Sequence, residues 1–184
     1  MKKAQIRTYG GADALEIIDA PIPTPGPTEL LLKVEAASVN PIDWKIARGM
    51  VRPVLPYRLP IGLGYDVSGA IQTVGEAVSG FASGDAVFAR VGRPQIGTFA
   101  EYVTVEASHV ARKPEQLSHA EAAALPLVGL TSWQVLNDLC QLQPQQRVLI
   151  HAGAGGIGTI AIQLAKALGA YVITTASAGN HALV

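Results

Sequence analysis

Near its C-terminal end the chain carries Gly153-Ala154-Gly155-Gly156-Ile157-Gly158, and what flanks this G-x-G-x-x-G spacing restricts the fold more than any other stretch. Ahead of it lies Arg147-Val-Leu-Ile-His151, a short apolar run that reads as a buried strand. Behind it, apolar residues fall at 157, 160, 161, 164, 165 and 168, the stripe of a helix lying on a sheet, with Thr159, Gln163 and Lys166 facing out. Gly169 ends that helix, and Tyr171–Thr175 is a second β-branched run. Strand, glycine turn, helix and strand over Arg147–Thr175 make one βαβ crossover, which requires a parallel sheet.

In that context the glycines have a chemical reading. Missing Cβ atoms permit a tight turn and let the backbone approach a pyrophosphate, while the helix N-terminus offers unpaired N–H groups and positive partial charge. Ala152, Gly153, Ala154, Gly155, Gly156, Ile157 and Gly158 are therefore the candidate cofactor-binding residues. A glycine-rich turn with no ligand is the competing reading. An NAD enzyme places an Asp or Glu about 20 residues past the motif, on the ribose hydroxyls. Here Thr174-Thr175-Ala176-Ser177-Ala178-Gly179-Asn180 holds no carboxylate, so a 2′-phosphate is tolerated and Ser177 or Asn180 is available to donate hydrogen bonds to it. The expected cofactor is NADPH.

The first two-thirds follow a different pattern. Short runs, Glu29–Val39, Val67–Val74, Ala86–Ala89 and Gly97–Val105, alternate with Pro- and Gly-rich turns, as in a compact barrel. Pro21, Pro23, Pro25 and Pro27 hold one connector extended. Ser118-His-Ala-Glu121 has the form of a capping box and opens an alanine-rich helix that Pro126 helps to end, so residues 1–117 and 118–184 read as two domains. A second short helix is expected over Ser132–Cys140.

Fourteen basic and fourteen acidic residues leave no global field to gather a polyanion, which argues against nucleic acid. The chain has no signal-like apolar run after Lys2-Lys3, and its apolar stretch Ala122–Leu130 is far short of the ~20 residues that span a bilayer, so membrane insertion is not expected. One cysteine, Cys140, excludes an intramolecular disulfide and any Cys/His metal cluster, fits a cytoplasmic setting, and reads as a buried, inert thiol on a leucine-flanked helix.

Several stretches together resemble the medium-chain dehydrogenase/reductases: Ser38-Val-Asn-Pro-Ile-Asp-Trp-Lys45, Gly64-Tyr-Asp-Val-Ser-Gly69, Gly84-Asp-Ala-Val87, Gly97-Thr-Phe-Ala-Glu-Tyr102, Gly129-Leu-Thr131 and His151-Ala-Gly-Ala-Gly-Gly-Ile-Gly158. The resemblance covers almost the whole chain and looks most like the zinc-free quinone oxidoreductase branch, which includes the zeta-crystallins. It implies an α/β and β architecture, a GroES-like β-barrel catalytic domain followed by the first βαβ unit of a Rossmann domain. Zinc-dependent members place a cysteine where this chain has Asn40 and a His-Glu pair where it has Tyr65-Asp66, so no metal is expected. What the resemblance leaves is hydride transfer to a small electrophilic acceptor, a quinone or an α,β-unsaturated carbonyl. It places Asn40 and Thr131 beside the nicotinamide and its ribose, and offers Tyr65 as a hydrogen-bond donor to the acceptor oxygen. For Asn40 and Thr131 the competing roles are turn or cap residues, and for Tyr65 a core tyrosine on a strand. Asp66 reads equally as a structural carboxylate, His151 as a packing or capping residue, and Trp44 as part of a cleft or a cover for the barrel mouth.

The chain stops at Val184, where the second Rossmann helix of such a protein should begin, with two of about six parallel strands in place. The expectation drawn from this is a homodimer weakened by truncation and little quinone reduction by the chain alone. Two other readings stay open: a non-catalytic remnant or binding protein of the same fold, and an enoyl-reductase module.

Overall fold

The computed structural model describes residues 1–93 and 96–184, which gather into two compact units, Met1–Pro126 and Leu127–Val184. In the first unit, β1 (Lys2–Ile6) lies between β2 (Leu15–Asp19) and the short β4 (Ile61–Gly62) in an antiparallel sheet. A second antiparallel sheet runs in the order β7 (Tyr102–Glu106), β3 (Glu29–Ser38), β5 (Asp66–Val74), β6 (Ala86–Arg90), β8 (Val110–Arg112). Period-two burial sets the inner face of the outer strands: Val87 and Ala89 point in from β6, and Val103 and Val105 from β7. The central pair is dressed on both faces, so Glu29–Leu32 of β3 and Asp66–Gly69 of β5 are buried throughout.

Residues 99–101 join the two sheets. Ala4 N–H donates to Phe99 O at 2.8 Å, Lys3 bridges Ala100, and Val34 N–H donates to Glu101 O at 2.9 Å. The run expected as one strand from Gly97 to Val105 is thus a crossing between sheets up to Glu101 and a strand only from Tyr102. The fold is mixed α/β, with two antiparallel sheets in its first unit and a parallel pair in its second.

Helix α1 (Pro41–Ala47) begins where the sequence calls for it: Asn40 is its N-cap and Pro41, lacking an N–H, occupies its first turn. Helix α2 (His119–Ala123) has the expected capping box, Glu121 N–H donating to Ser118 Oγ at 3.2 Å and Ser118 N–H to Glu121 Oε2 at 2.8 Å. Ala122 and Ala123 bury against β3, β5 and β6, and His119 Nδ1 lies 2.8 Å from Ser68 Oγ. That packing places α2 in the first unit, so the division by compactness falls at Pro126/Leu127, later than the break read at Ser118.

Pro126 opens α3 (Pro126–Trp133), and Thr131, expected ahead of a helix, sits inside it. Residues Gln134–Leu139 continue it as wider turns, shown by Cys140 N–H donating to Val135 O, five residues back, at 2.9 Å. One extra residue per turn rotates everything after it about the axis. Leu136 then goes inside and Cys140 is exposed, which corrects the buried thiol expected from its leucine neighbours.

In the second unit β9 (Arg147–Ile150) and β10 (Tyr171–Thr174) are parallel, Val148 opposite Val172, with α4 (Gly156–Ala167) between them in sequence. Ala161 and Ala165 of α4 and Leu136 form the core, with Val148, Ile150, Leu164, Leu168 and Val172 packed on it. Leu149, Tyr171 and Ile173 alternate onto the other, exposed face.

Asp43 couples the cap of α1 to pH. Its Oδ2 accepts from Asn40 N–H at 2.7 Å, it is 2% exposed, and burial pushes its pKa from 3.8 up to about 6, with the Asp66 charge adding to the rise and backbone N–H groups of Asn40 and Gly64 opposing it. A folded-state pKa above the unfolded one contributes stability that is complete below pH ~4 and lost as pH rises through ~6. Asp43→Asn keeps an acceptor for Asn40 but cannot ionise. Urea unfolding at pH 4 and pH 7.5 should show wild type losing, relative to this variant, on the order of 3 kcal/mol as pH rises; parallel profiles would refute the assignment.

Candidate functional site

Chain direction between β9 and α4 is reversed by a turn in which Ala152 adopts φ +55° and Gly155 N–H donates to Ala152 O at 2.9 Å. Two of the glycines are there for contact. A Cβ on Gly153 would lie 2.2 Å from Thr174 Oγ1, and one on Gly158 would lie 2.3 Å from Ala152 O and 2.7 Å from Gly153 Cα. The helix is thereby drawn against the turn it leaves. Gly155 and Gly156 differ, since a Cβ there meets nothing nearer than 3.2 Å and 3.4 Å.

Gly155 is the N-cap of α4 and has no side chain to cap it, so the N–H groups of Gly156, Ile157 and Gly158 have neither an intrahelical partner nor a side-chain one. Gly155, Gly156 and Ile157 are exposed, Ala154 is half-buried, and Gly153 and Gly158 are buried. The result is an open, amide-lined head on a twelve-residue helix, carrying the dipole's positive end. An anionic group of a nucleotide fits such a cradle.

Threonines that sequence reasoning passed over hold this turn. Thr175 Oγ1 accepts from Ala152 N–H at 3.2 Å and meets His151 Nδ1 at 3.1 Å, while Thr174 Oγ1 donates to Ile150 O at 2.7 Å. His151 is exposed and ties the two strand ends together. Beyond β10, Asn180 Nδ2 donates to Ser177 Oγ at 3.1 Å, both in an exposed turn on the same side of the sheet as the glycines, because parallel strands end on one side. Thr131 Oγ1 donates to Leu127 O at 2.7 Å, which leaves its lone pairs as acceptors.

The first unit assembles a separate polar group around Asn40. Asp66 Oδ2 accepts from Asn40 Nδ2 at 2.8 Å and from Ser38 Oγ at 2.9 Å, and Asn40 Nδ2 lies 3.2 Å from Ser38 Oγ. Strand register makes this possible, since Ser38 stands opposite Asp66. Asn40 and Asp66 are 6% and 0% exposed. Asp66, read from sequence as a structural carboxylate, accepts from these side chains, and the amide orientation of Asn40 follows from them.

Tyr65 is buried but lies just ahead of β5 rather than on it. Its hydroxyl hydrogen-bonds that of Tyr57, which sequence reasoning did not single out. Burial, then the Tyr57 hydrogen bond, push the Tyr65 phenol above its ordinary value, so it keeps its proton throughout the physiological range. Among the described residues no three His, Cys, Asp or Glu side chains come together as metal ligands, and no helix is long and apolar enough to cross a membrane.

Residues 26–115 match the family described as the alcohol dehydrogenase GroES-like domain. A chloroplast envelope quinone oxidoreductase homolog of Arabidopsis thaliana is 40% identical over 98% of this chain and 56% of its own length. The structure of the quinone oxidoreductase from Coxiella burnetii superposes with a TM-score of 0.88 at 42% identity, covering 100% of this chain and 58% of that one. The Escherichia coli quinone oxidoreductase complexed with NADPH gives 0.86 at 31% identity, over 98% and 54%. The chain thus spans about half the length of the relatives it matches. With a match to the GroES-like domain ahead of a βαβ unit, and these likenesses along nearly its full extent, the chain is similar to the medium-chain dehydrogenase/reductases, among relatives named quinone oxidoreductases.

Proposed function

We propose that the protein of which this chain is part is an NADPH-dependent oxidoreductase that delivers hydride, without a metal, to a quinone or an α,β-unsaturated carbonyl. The observation that carries this reading is the uncapped, exposed amide head of α4, shaped for paired phosphates. When bound, the cofactor supplies the hydride; the chain supplies position and electrostatics.

Backbone N–H groups of Gly156, Ile157 and Gly158 take the pyrophosphate, with Ala152, Gly153, Ala154 and Gly155 forming the turn that lets it approach. Ser177 and Asn180 face a 2′-phosphate, favoured over NAD because residues 174–180 hold no carboxylate. Thr131 offers acceptor lone pairs to the nicotinamide ribose. Asn40, its amide oriented by Asp66 and Ser38, is the first unit's residue assigned to the nicotinamide. Tyr65 remains a neutral phenol that donates to the acceptor oxygen as charge develops there. The NADPH complex of the Escherichia coli relative supports the choice of cofactor. The single thiol suits a reducing compartment.

Two glycine variants separate binding from folding in an NADPH fluorescence titration. Gly156→Ala, whose methyl would meet nothing nearer than Val128 Cγ1 at 3.4 Å, should leave thermal unfolding nearly unchanged but weaken NADPH at least ~10-fold by crowding the amides that the phosphates approach. Gly158→Ala should instead destabilise the second unit, by about 1–3 kcal/mol or more, because its methyl has no room. Unchanged NADPH affinity in Gly156→Ala, or no saturable binding by wild type, would remove the cofactor reading.

Ser177→Asp tests the choice of nucleotide. It should weaken NADPH by about 10-fold and bring NADH to equal or better affinity, since a carboxylate repels the 2′-phosphate and accepts from ribose hydroxyls. An undisturbed preference for NADPH would place the 2′-phosphate elsewhere.

A further inference from the structure

Zero net charge conceals a segregation of charge. Between Ala36 and Gly75 the only carboxylates are Asp43 and Asp66, both buried, whereas Lys45, Arg48, Arg52 and Arg58 lie on the same stretch. Folding brings Arg90 and Arg93 to it. The guanidinium of Arg90 lies 5.0 Å from the Tyr65 ring centre and that of Arg93 4.8 Å from the Tyr57 ring centre, and the two phenols are hydrogen-bonded to each other. Tyr9 extends the group: its hydroxyl donates to Tyr57 O at 3.2 Å, and Arg52 lies 5.7 Å from its ring. Trp44 carries Arg48 at 5.2 Å.

These cations are stacked rather than neutralised. The ion pairs among the described residues use Lys2, Arg7, Lys33 and Arg112, and none uses Arg48, Arg52, Arg90 or Arg93. Arg93 Nη2 donates to Pro56 O at 3.2 Å, which fixes that guanidinium and leaves its other N–H groups for an incoming acceptor; a guanidinium lying on a ring loses little freedom when that acceptor arrives. Of the two hydroxyl hydrogens on Tyr57 and Tyr65, one is spent between them and the other remains for a ligand oxygen. Clustered like charges beside a hydroxyl donor, with Asp66 opposite Arg90 alone in the register, favour a ligand with both an acidic group and a polar oxygen.

We propose that Arg90 and Arg93, stacked on Tyr65 and Tyr57, form an anion-recognition subsite that selects an acceptor bearing a carboxylate, sulfonate or comparable acidic group. For the acceptor's class this rests on the quinone or enone reading above; the recognition of its charge stands on the arginines alone. The subsite makes the protein selective for acidic electrophiles over neutral ones of the same shape.

Trp44 supplies the readout. In a Trp133→Phe background, which leaves Trp44 as the one indole, quenching is followed during titration with anthraquinone-2-sulfonate and with neutral 2-(hydroxymethyl)anthraquinone, without NADPH. The sulfonate should bind about 10-fold tighter. Its advantage should shrink in about 0.5 M salt, disappear in Arg90→Gln/Arg93→Gln, and persist in Arg112→Gln, an exposed arginine outside the group. Equal affinity for the two quinones, absence of saturable quenching by the sulfonate, or an advantage that survives the double variant would each overturn the proposal. Since no NADPH is present, such a failure is distinct from failure of the cofactor titration.

Discussion

Contact between the start of α4 and the turn it leaves governs the second unit. Gly158 lies against the Ala152 carbonyl and Gly153, and nothing larger than hydrogen fits between. The helix axis is thereby aimed so that its first amides face solvent instead of closing on a side chain. Ala152 adopts a left-handed backbone to allow this, at about 1–2 kcal/mol for a residue with a Cβ. Hydrogen bonds from Ala152 N–H to Thr175 and from Gly155 N–H to Ala152 O hold it there. Strain, close packing and exposed donors are therefore one arrangement, and losing any of them would blunt the anion cradle.

The first unit meets a different constraint, the burial of two carboxylates. Water no longer solvates Asp43 or Asp66, so protein donors must, and a buried charge with too few donors shifts toward its neutral form. Asp66 receives Ser38 and Asn40; Asp43 receives backbone N–H groups, and its Oδ1 has no hydrogen-bond partner. The missing partner on Oδ1 agrees with the raised pKa of Asp43. A fold that tolerates this gains a rigid junction at which β3 ends, α1 starts and β5 begins.

Legibility in the sequence followed the range of the interactions. The βαβ unit could be read because strand, glycine turn and helix are each written in local periodicity, and the capping box of α2 because its partners are three residues apart. The polar group at Asn40 could not, because Ser38–Asp66 and Asn40–Asp66 join residues 28 and 26 apart through a strand register that spacing does not reveal. The wider turns after α3 were hidden for another reason. Adding one residue to a helical turn changes no composition and breaks no apolar run, yet it moves Cys140 from the inside to the outside. Tyr57 escaped notice because its partner Tyr65 is reached across a Pro-rich loop with no periodicity of its own.

Asn40 shows how hydrogen bonds alone can fix one residue. Here the backbone N–H of Asn40 is committed to Asp43 and its side-chain NH₂ to Asp66 and Ser38. Those bonds act at right angles in function, one setting where the helix starts and the other which way the amide faces. An asparagine has two chemically different ends, so orientation matters for it in a way that it does not for a lone carboxylate oxygen. A carboxylate that accepts only is the partner that removes the ambiguity, since it can bond the NH₂ end alone. Neighbouring Asp66 is therefore more informative about which way Asn40 faces than Asn40 is by itself.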